Sequence, residues 1–240
     1  MTGIGGWTSP TCTCNSEAEK VHADPALYLR PVIDSLKTHW PDNRAVNIVC
    51  HGHSVPAGYF ATPRVDSLNA YPHLLRVALA ERFPYSVINV IVSAIGGESS
   101  DAGAERFERH VLAHRPNVVT IDYGLNDRHI GLQPALQSWE SMIVAAKNAA
   151  VGVLLLTPTP DLTQRADAPD EERQPLLDHA EQIRQLASTH QVGLVDNQIA
   201  ADAYCRYTGE LSDLLSWSNH PNRAGHVVVA RALMRWFMPA

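Results

Sequence analysis

Five short runs of apolar residues stand out in the hydrophobic pattern of this chain, and each is continuous rather than alternating with polar residues. They cover residues 45–50, 86–92, 117–121, 152–156 and 191–195. Continuous apolar runs of this length are typical of strands that are buried on both faces of a parallel sheet. The pattern therefore predicts five central β-strands.

Segments with helical spacing lie between and after these strands. Ala104, Phe107 and Val111, for example, recur at positions i, i+3 and i+7, which places them on one face of a helix. Further helices are predicted at residues 25–39, 66–82, 134–149, 171–190 and 222–237. Alternating strands and helices form a doubly wound, three-layer α/β/α fold, in which ligands bind beyond the carboxyl ends of the strands.

The charge of the chain narrows the choice of partner. Its 240 residues include 19 basic and 25 acidic side chains, a net charge of −6, and they form no long run of one sign. A basic surface of the kind that binds nucleic acid or an anionic membrane is therefore not expected. The apolar runs are also far shorter than the ~18 residues of a membrane span. We expect a small-molecule partner, and neither nucleic acid nor a membrane.

The two ends of the chain differ in character. Residues 1–15 contain neither a basic segment nor an apolar segment of a secretory signal, which favours the cytoplasm, or a secreted form whose signal has been removed. Residues 1–20 are predicted to form an N-terminal arm and residues 21–240 a single domain. The four cysteines are too few and too unevenly placed for a disulfide framework or a zinc site.

Residues suited to catalysis follow the predicted strands. Ser54 lies in a turn after the first strand, and Gly97 belongs to a glycine pair after the second. Asn126 follows the third strand, and His220 immediately precedes the last helix. These loops would bring a hydroxyl, a backbone N–H, an amide and an imidazole to one edge of the sheet, which are the components of a site for acyl transfer.

Taken in chain order, these segments resemble the sequence blocks of the SGNH (GDSL-type) hydrolases. The matching residues are Gly52-His53-Ser54, Gly97, Gly124-Leu125-Asn126-Asp127 and His220-Pro221-Asn222. The resemblance spans residues 46–237 and implies a flavodoxin-like sheet of five parallel strands. It also implies that Ser54 is the nucleophile and His220 the base. The N–H groups of Ser54 and Gly97 would form the oxyanion hole with the Asn126 side chain, and no cofactor is needed.

Three positions depart from the family pattern. His53 stands where the family has the aspartate of Gly-Asp-Ser, and Val92 replaces the asparagine of the second block. Trp217 stands three residues before His220, where the family has the aspartate that orients the histidine. Because tryptophan cannot accept a hydrogen bond, the orienting group must come from elsewhere. The candidates are Asp213 first, Asp196 second, and a backbone carbonyl serving a Ser-His dyad third.

Other residues near these blocks are candidates for further roles. Tyr59 and Phe60 follow the nucleophile turn and are predicted to line the substrate pocket, with covering of the core as the alternative. His51 and His53 form a His-x-His pair, but no nearby carboxylate or thiolate completes a metal site, so no metal is predicted. His226 is expected on the surface of the last helix.

The function that these observations favour is a serine esterase working through an acyl-enzyme. The chain has no apolar lid segment, and its loops are polar, as in residues 164–173. We therefore expect a short acyl group, such as acetyl, on a polar or carbohydrate alcohol. Two alternatives stay open at this point: an acyltransferase that uses the same site, and a non-catalytic ligand-binding domain of the same fold.

Overall fold

A computed structural model of the chain describes residues 22–164 and 168–238. The predicted N-terminal arm, residues 1–20, lies outside these ranges, and the assignment of residues 21–240 to a single domain stays a prediction. Within the two described ranges, no helix is long and apolar enough to cross a membrane.

Five parallel strands form one sheet, as the hydrophobic pattern predicts. They are β1 (Val46–Gly52), β2 (Ile88–Ala94), β3 (Val118–Asp122), β4 (Gly152–Leu156) and β5 (Gly193–Val195). The order across the sheet is β2-β1-β3-β4-β5, and every neighbouring pair is parallel. This is the flavodoxin-like order, in which the direction of winding changes between β1 and β3. The predicted fold class is confirmed.

Helices connect the strands and cover the sheet. They are α1 (Arg30–Leu36), α2 (Ser54–Ala57), α3 (Tyr71–Arg82), α4 (Ser100–Glu105), α5 (Phe107–His110), α6 (Gly124–Asp127), α7 (Leu132–Asn148), α8 (Asp170–His190), α9 (Asn197–Tyr207) and α10 (Arg223–Met234). Each helix predicted from the sequence has a counterpart here, although the first is shorter than expected. The sequence pattern missed α2, α6 and α9.

The missed helices carry little periodic signal. The helices α2 and α6 have four residues each, which is too short for a helical period to repeat. The longer α9 buries Asn197, Gln198 and Ala201, so its inward face is largely polar. A search for apolar residues at helical spacing cannot detect a helix of this kind.

Side chains that alternate along the strands build two separate cores. On one face, Ile48 of β1 and Leu154 of β4 belong to a cluster with residues of α3 and α10. On the other face, Val49 and Val153 pack with residues of α7 and α8. All four strand side chains are fully buried. Burial on both faces explains why these strands are continuous apolar runs, because successive residues point to opposite cores.

Asp127 connects the second of these cores to the carboxyl edge of the sheet. Its fully buried carboxylate accepts hydrogen bonds from the indole N–H of Trp139 in α7 (2.7 Å) and from the backbone N–H of Ser100 at the start of α4 (2.8 Å). Burial raises the pKa of Asp127, and the two donors act in the opposite direction. The carboxylate thus joins the segments that follow β2 and β3.

We predict that Trp139→Phe lowers the free energy of unfolding by about 1–3 kcal/mol, because it leaves a buried carboxylate with one donor fewer. The measurement is urea denaturation followed by circular dichroism. Trp40→Phe is the matched control, since Trp40 is 83% exposed and its replacement should change stability by less than about 0.5 kcal/mol. Equal effects of the two substitutions would contradict the role assigned to the Asp127 hydrogen bond.

Candidate active site

Ser54 is the first residue of α2, directly beyond the end of β1. The strand ends at Gly52, where an added Cβ would lie 2.4 Å from the backbone oxygen of Asp122 in β3. No other residue type fits so close to a neighbouring strand. Four residues after Ser54, Gly58 ends the helix with a φ of +90°, a conformation that favours glycine. The two glycines therefore set a short, sharp turn that begins with the serine.

The loop before α10 holds His220 beside this turn. An isolated bridge pairs Leu215 with Pro221, and both the backbone N–H and the hydroxyl of Ser216 donate to the His220 carbonyl, at 2.9 and 3.1 Å. The side chain of Asn222 then caps α10. These contacts fix the backbone on both sides of the imidazole.

The structure brings Ser54 and His220 into direct contact across 166 residues of chain. The distance between the serine Oγ and the histidine Nε2 is 2.9 Å. Burial, together with the neighbouring His53, lowers the pKa of His220. A lowered pKa keeps the imidazole neutral near pH 7, the state in which it can accept the proton of the serine.

Among the residues that the structure describes, no carboxylate bonds the other nitrogen of this imidazole. Nδ1 of His220 is buried and has no hydrogen-bond partner among the described residues. Asp213, the first candidate for the acid, is exposed, and its carboxylate accepts from the backbone N–H of Glu210 (2.8 Å) in a capping box. Asp196 caps α9 and pairs with Arg184 at 2.7 Å. The structure therefore does not place either predicted acid at His220.

Trp217 does not form a hydrogen bond with Nδ1 of His220. Its side chain is 62% exposed, and no hydrogen bond of the indole is found within the described ranges. A backbone carbonyl, the third candidate, does not bond Nδ1 there either. The geometry of these residues is that of a Ser-His dyad.

The three predicted oxyanion donors lie on the loops after β1, β2 and β3. Gly97 is exposed with a φ of +80°, and nothing lies within 4 Å of the position that a Cβ would take. No acceptor for its N–H is found among the described residues. The N–H of Ser54 begins a helix and thus has no intrahelical acceptor. The Asn126 amide donates to the carbonyl of Glu98 (2.9 Å), which places it against the Gly97 loop.

His53 occupies the position between the end of β1 and Ser54. Its imidazole is fully buried, with Nδ1 3.3 Å from the Ser54 hydroxyl oxygen and Nε2 3.4 Å from a carboxylate oxygen of Asp122. The backbone N–H of Val55 donates to the same Nδ1. His53 therefore contacts the serine from the side opposite to solvent, where the sequence predicted only a departure from the family pattern.

The two predicted pocket residues have different surroundings. The Tyr59 ring stacks on the His220 ring, with centroids 6.4 Å apart and planes at 28°, and it also packs against Gly96. Phe60 instead contacts His226, with centroids 5.1 Å apart. The expectation that His226 lies on the surface is wrong: it is fully buried and accepts a hydrogen bond from the backbone N–H of Tyr71. Burial lowers the pKa of His226 to about 3.

A buried ion pair that the sequence analysis missed lies behind Gly97. Arg106 donates from Nε to the carboxylate of Glu98 at 2.8 Å, and the Tyr123 hydroxyl donates to the same carboxylate at 2.8 Å. The side chains of Glu98 and Arg106 are 8% and 10% exposed. Glu98 precedes α4 and Arg106 follows it, so the two residues do not lie on one face of a helix and no periodic pattern indicates the pair.

Comparison with known proteins identifies the family. Residues 50–228 match the GDSL-like Lipase/Acylhydrolase family. The chain belongs to this family. This acylhydrolase is a carboxylic ester hydrolase, as the resemblance of its sequence blocks implies.

Two acetyl esterases of polysaccharides are among the proteins similar to this acylhydrolase. An acetylxylan esterase from Geobacillus stearothermophilus is 25% identical over 166 residues, which are 64% of this chain and 74% of that protein. The crystal structure of an acetylxylan esterase from that organism covers 80% of this chain and 94% of its own, with a TM-score of 0.69 and 23% identity.

The second similar structure is a two-domain esterase active on acetylated mannans, at 21% identity and a TM-score of 0.71. It covers 91% of this chain, and this chain spans 54% of it. Structures of catalytic mutants of the Geobacillus enzyme, with a serine, a histidine or an aspartate replaced by alanine, also match.

Within residues 22–164 and 168–238 of this acylhydrolase, no group of three or more His, Cys, Asp and Glu side chains is arranged to hold a metal ion. His51 does not join His53 in a common site, because its Nδ1 contacts the carbonyl of Ser93 at 2.9 Å.

We predict that Asp213→Asn leaves kcat of this acylhydrolase close to the wild-type value, because the carboxylate caps a turn and does not contact His220. The measurement is steady-state hydrolysis of a chromogenic acetyl ester. Asp196→Asn is the paired variant and should behave in the same way. A loss of about 10²-fold or more in either one would identify that residue as the orienting acid and contradict the dyad geometry.

Proposed function

We propose that this protein removes acetyl groups from a carbohydrate through an acyl-enzyme on Ser54. The observation that carries the proposal is the 2.9 Å hydrogen bond from Ser54 to His220, at the edge of the sheet where ligands bind in this type of fold. The acetyl and carbohydrate specificity is supported by relatives named for acetylated xylan and mannan. The polar loops of the chain support it as well.

The reaction begins with attack of the Ser54 oxygen on the acetyl carbonyl carbon while the hydroxyl proton moves to Nε2 of His220. The carbonyl oxygen becomes an oxyanion, for which the N–H groups of Ser54 and Gly97 and the amide of Asn126 are the proposed donors. When the intermediate collapses, the sugar hydroxyl departs with the proton from Nε2 and the acetyl group stays on the serine.

Water completes the cycle. His220 takes one proton from the water as its oxygen attacks the acetyl carbon of the acyl-enzyme. The second intermediate releases acetate, and the proton on Nε2 returns to the Ser54 oxygen. An acyltransferase would differ only in using a second alcohol here instead of water, and no described residue favours that outcome.

We propose that Ser54 and His220 act as a dyad. No carboxylate of residues 22–164 or 168–238 bonds Nδ1, so none of them fixes the tautomer of His220 or balances the charge that it carries as an imidazolium. Contact with Tyr59 on one side and the two hydrogen bonds from Ser216 to the His220 carbonyl hold the ring in place instead. Turnover is therefore expected to be slower than that of an enzyme with a complete triad.

We expect Ser54→Ala to lower kcat by at least about 10⁴-fold, because it removes the nucleophile. The thermal midpoint should change little, because the substitution removes one hydroxyl, which contacts His220 and His53, and leaves the backbone of the turn unchanged. The measurement is acetate release from acetylated xylooligosaccharides, alongside p-nitrophenyl esters of increasing acyl length. Ser99→Ala is the control and should keep full activity.

Two results would contradict this proposal. A fluorophosphonate label that maps to Ser93, Ser99 or Ser100 would exclude Ser54 as the nucleophile. Faster hydrolysis of long acyl chains than of acetyl esters would exclude the proposed substrate class. Adding a sugar alcohol as acceptor distinguishes hydrolysis from transfer, because only transfer yields a new ester.

Trp217→Asp should raise kcat by about tenfold or more, because it places a carboxylate three residues before His220, the family position for orienting the imidazole. The side chain is exposed, so the substitution should not disturb packing. Trp217→Asn introduces a side chain of nearly the same shape as aspartate but without the charge, so it should leave kcat at the wild-type level. An equal response to both substitutions would show that the missing carboxylate does not limit the rate.

A further inference from the structure

We infer that Glu98 is a positioning residue, held by Arg106 and Tyr123, that orients the oxyanion donors Gly97 and Asn126. This inference rests on the proposed function, because it assigns Glu98 a role through those donors. The residue contacts the donors through its own backbone and contacts the protein interior through its side chain.

The loop that carries Gly97 has little packing support on its outer side. Gly96 and Gly97 are both exposed; the Tyr59 ring packs against Gly96, but no described residue lies within 4 Å of the position that a Cβ of Gly97 would take. Gly97 also has a positive φ, and because it has no side chain its backbone can adopt many other conformations. A donor on such a segment must be held by neighbouring residues if its N–H is to point at one place.

Glu98 supplies that attachment through four hydrogen-bond partners. Its carboxylate accepts from Arg106 and Tyr123, and its backbone carbonyl accepts from the Asn126 amide at 2.9 Å. Its N–H donates to the carbonyl of Ile95, which closes the turn around the two glycines. Glu98 therefore links Gly97, its neighbour in the chain, to the Asn126 amide on the next loop.

The partners of Glu98 are themselves fixed to the sheet. Arg106 donates from Nη1 to the hydroxyl of Ser93 in β2 at 2.9 Å, and Tyr123 directly follows β3. The Tyr123 ring is fully buried and lies edge-on to the ring of His51 in β1, with centroids 5.1 Å apart. Strands β1, β2 and β3, which are neighbours in the sheet, thus all contribute to holding one glutamate.

We call Glu98, Arg106 and Tyr123 the Glu98 clamp. Its physical reason is the geometry that oxyanion stabilisation requires. Donors act only if they already point at the position of the developing charge, within a few tenths of an ångström of hydrogen-bond distance. A buried ion pair gives little net stability, but it strongly favours one arrangement of its partners. The Glu98 clamp would therefore raise kcat without changing the binding of substrate in its ground state.

The test compares Glu98→Ala with Glu98→Gln and Asn126→Ala, by kcat and KM on a chromogenic acetyl ester. Asn126→Ala should lower kcat by about 10²–10³-fold, the range for loss of one oxyanion donor. Glu98→Ala should lower kcat by about 10²-fold, with KM nearly unchanged, because both donors lose their orientation. Glu98→Gln keeps an oxygen acceptor for Arg106 and should retain most of the activity.

A double variant separates positioning from a general loss of structure. If Glu98 acts through the oxyanion donors, Glu98→Ala should cost far less in the Asn126→Ala background than in the wild type, because part of the site is already lost. Tyr123→Phe, which removes a single donor to Glu98 and keeps the ring, should give a smaller loss of kcat in the same direction. If Glu98→Ala fails to fold, Tyr123→Phe tests the same role of Glu98.

Arg184→Ala is the matched control for Arg106→Ala. Arg184 also pairs with a carboxylate, that of Asp196 at 2.7 Å, but its pair is not among the contacts of the site. Only Arg106→Ala should lower kcat. The inference is overturned if Glu98→Ala leaves kcat within about threefold of the wild type while Asn126→Ala lowers kcat by about 10²–10³-fold. It is also overturned if the loss of kcat in the double variant equals the product of the losses in the two single variants. Activity retained in Ser54→Ala would instead refute the proposed function itself.

Discussion

The hydrogen bond between Ser54 and His220 depends on one constraint, namely that the strands of the sheet are parallel and end at a common edge. In the register of the sheet, Gly52 of β1 lies opposite both Ala94 of β2 and Asp122 of β3, so the loops that follow these strands start side by side. The helix α10 approaches the same edge from one of the covering layers. Residues that are 166 positions apart can thus lie 2.9 Å apart.

The interior beneath this edge contains more polar groups than a core usually tolerates. His51, His53, Asp122 and Asp127 are fully buried, and burying such groups costs free energy unless each finds a partner. Asp127 has two donors, and His51 contacts two carbonyls and a tyrosine hydroxyl. The imidazole of His53 lies between the serine and Asp122. Polar groups at this density are typical of functional sites, where a defined arrangement matters more than stability.

Much of the architecture could be predicted because it rests on burial. The strands lie within two residues of their predicted bounds, because most of their side chains pack into one of two cores and are apolar. Helix α9 could not be found this way, because its inward side is largely polar. The surface position expected for His226 failed for a related reason: an imidazole can be buried when a backbone N–H, here that of Tyr71, satisfies one of its nitrogens.

By itself, the sequence determined the fold class, the order of strands and helices along the chain, and the loops in which the serine, glycine, asparagine and histidine of the family blocks lie. These properties follow from local patterns and from motifs that are contiguous in the chain. The tertiary structure alone decided which side chains meet. It placed His220 on Ser54, placed Asp213 and Asp196 elsewhere, and paired Glu98 with Arg106 behind Gly97. The physical reason is that a hydrogen bond or ion pair depends on distances of a few ångströms between loops, and loop conformation leaves no periodic trace in the sequence.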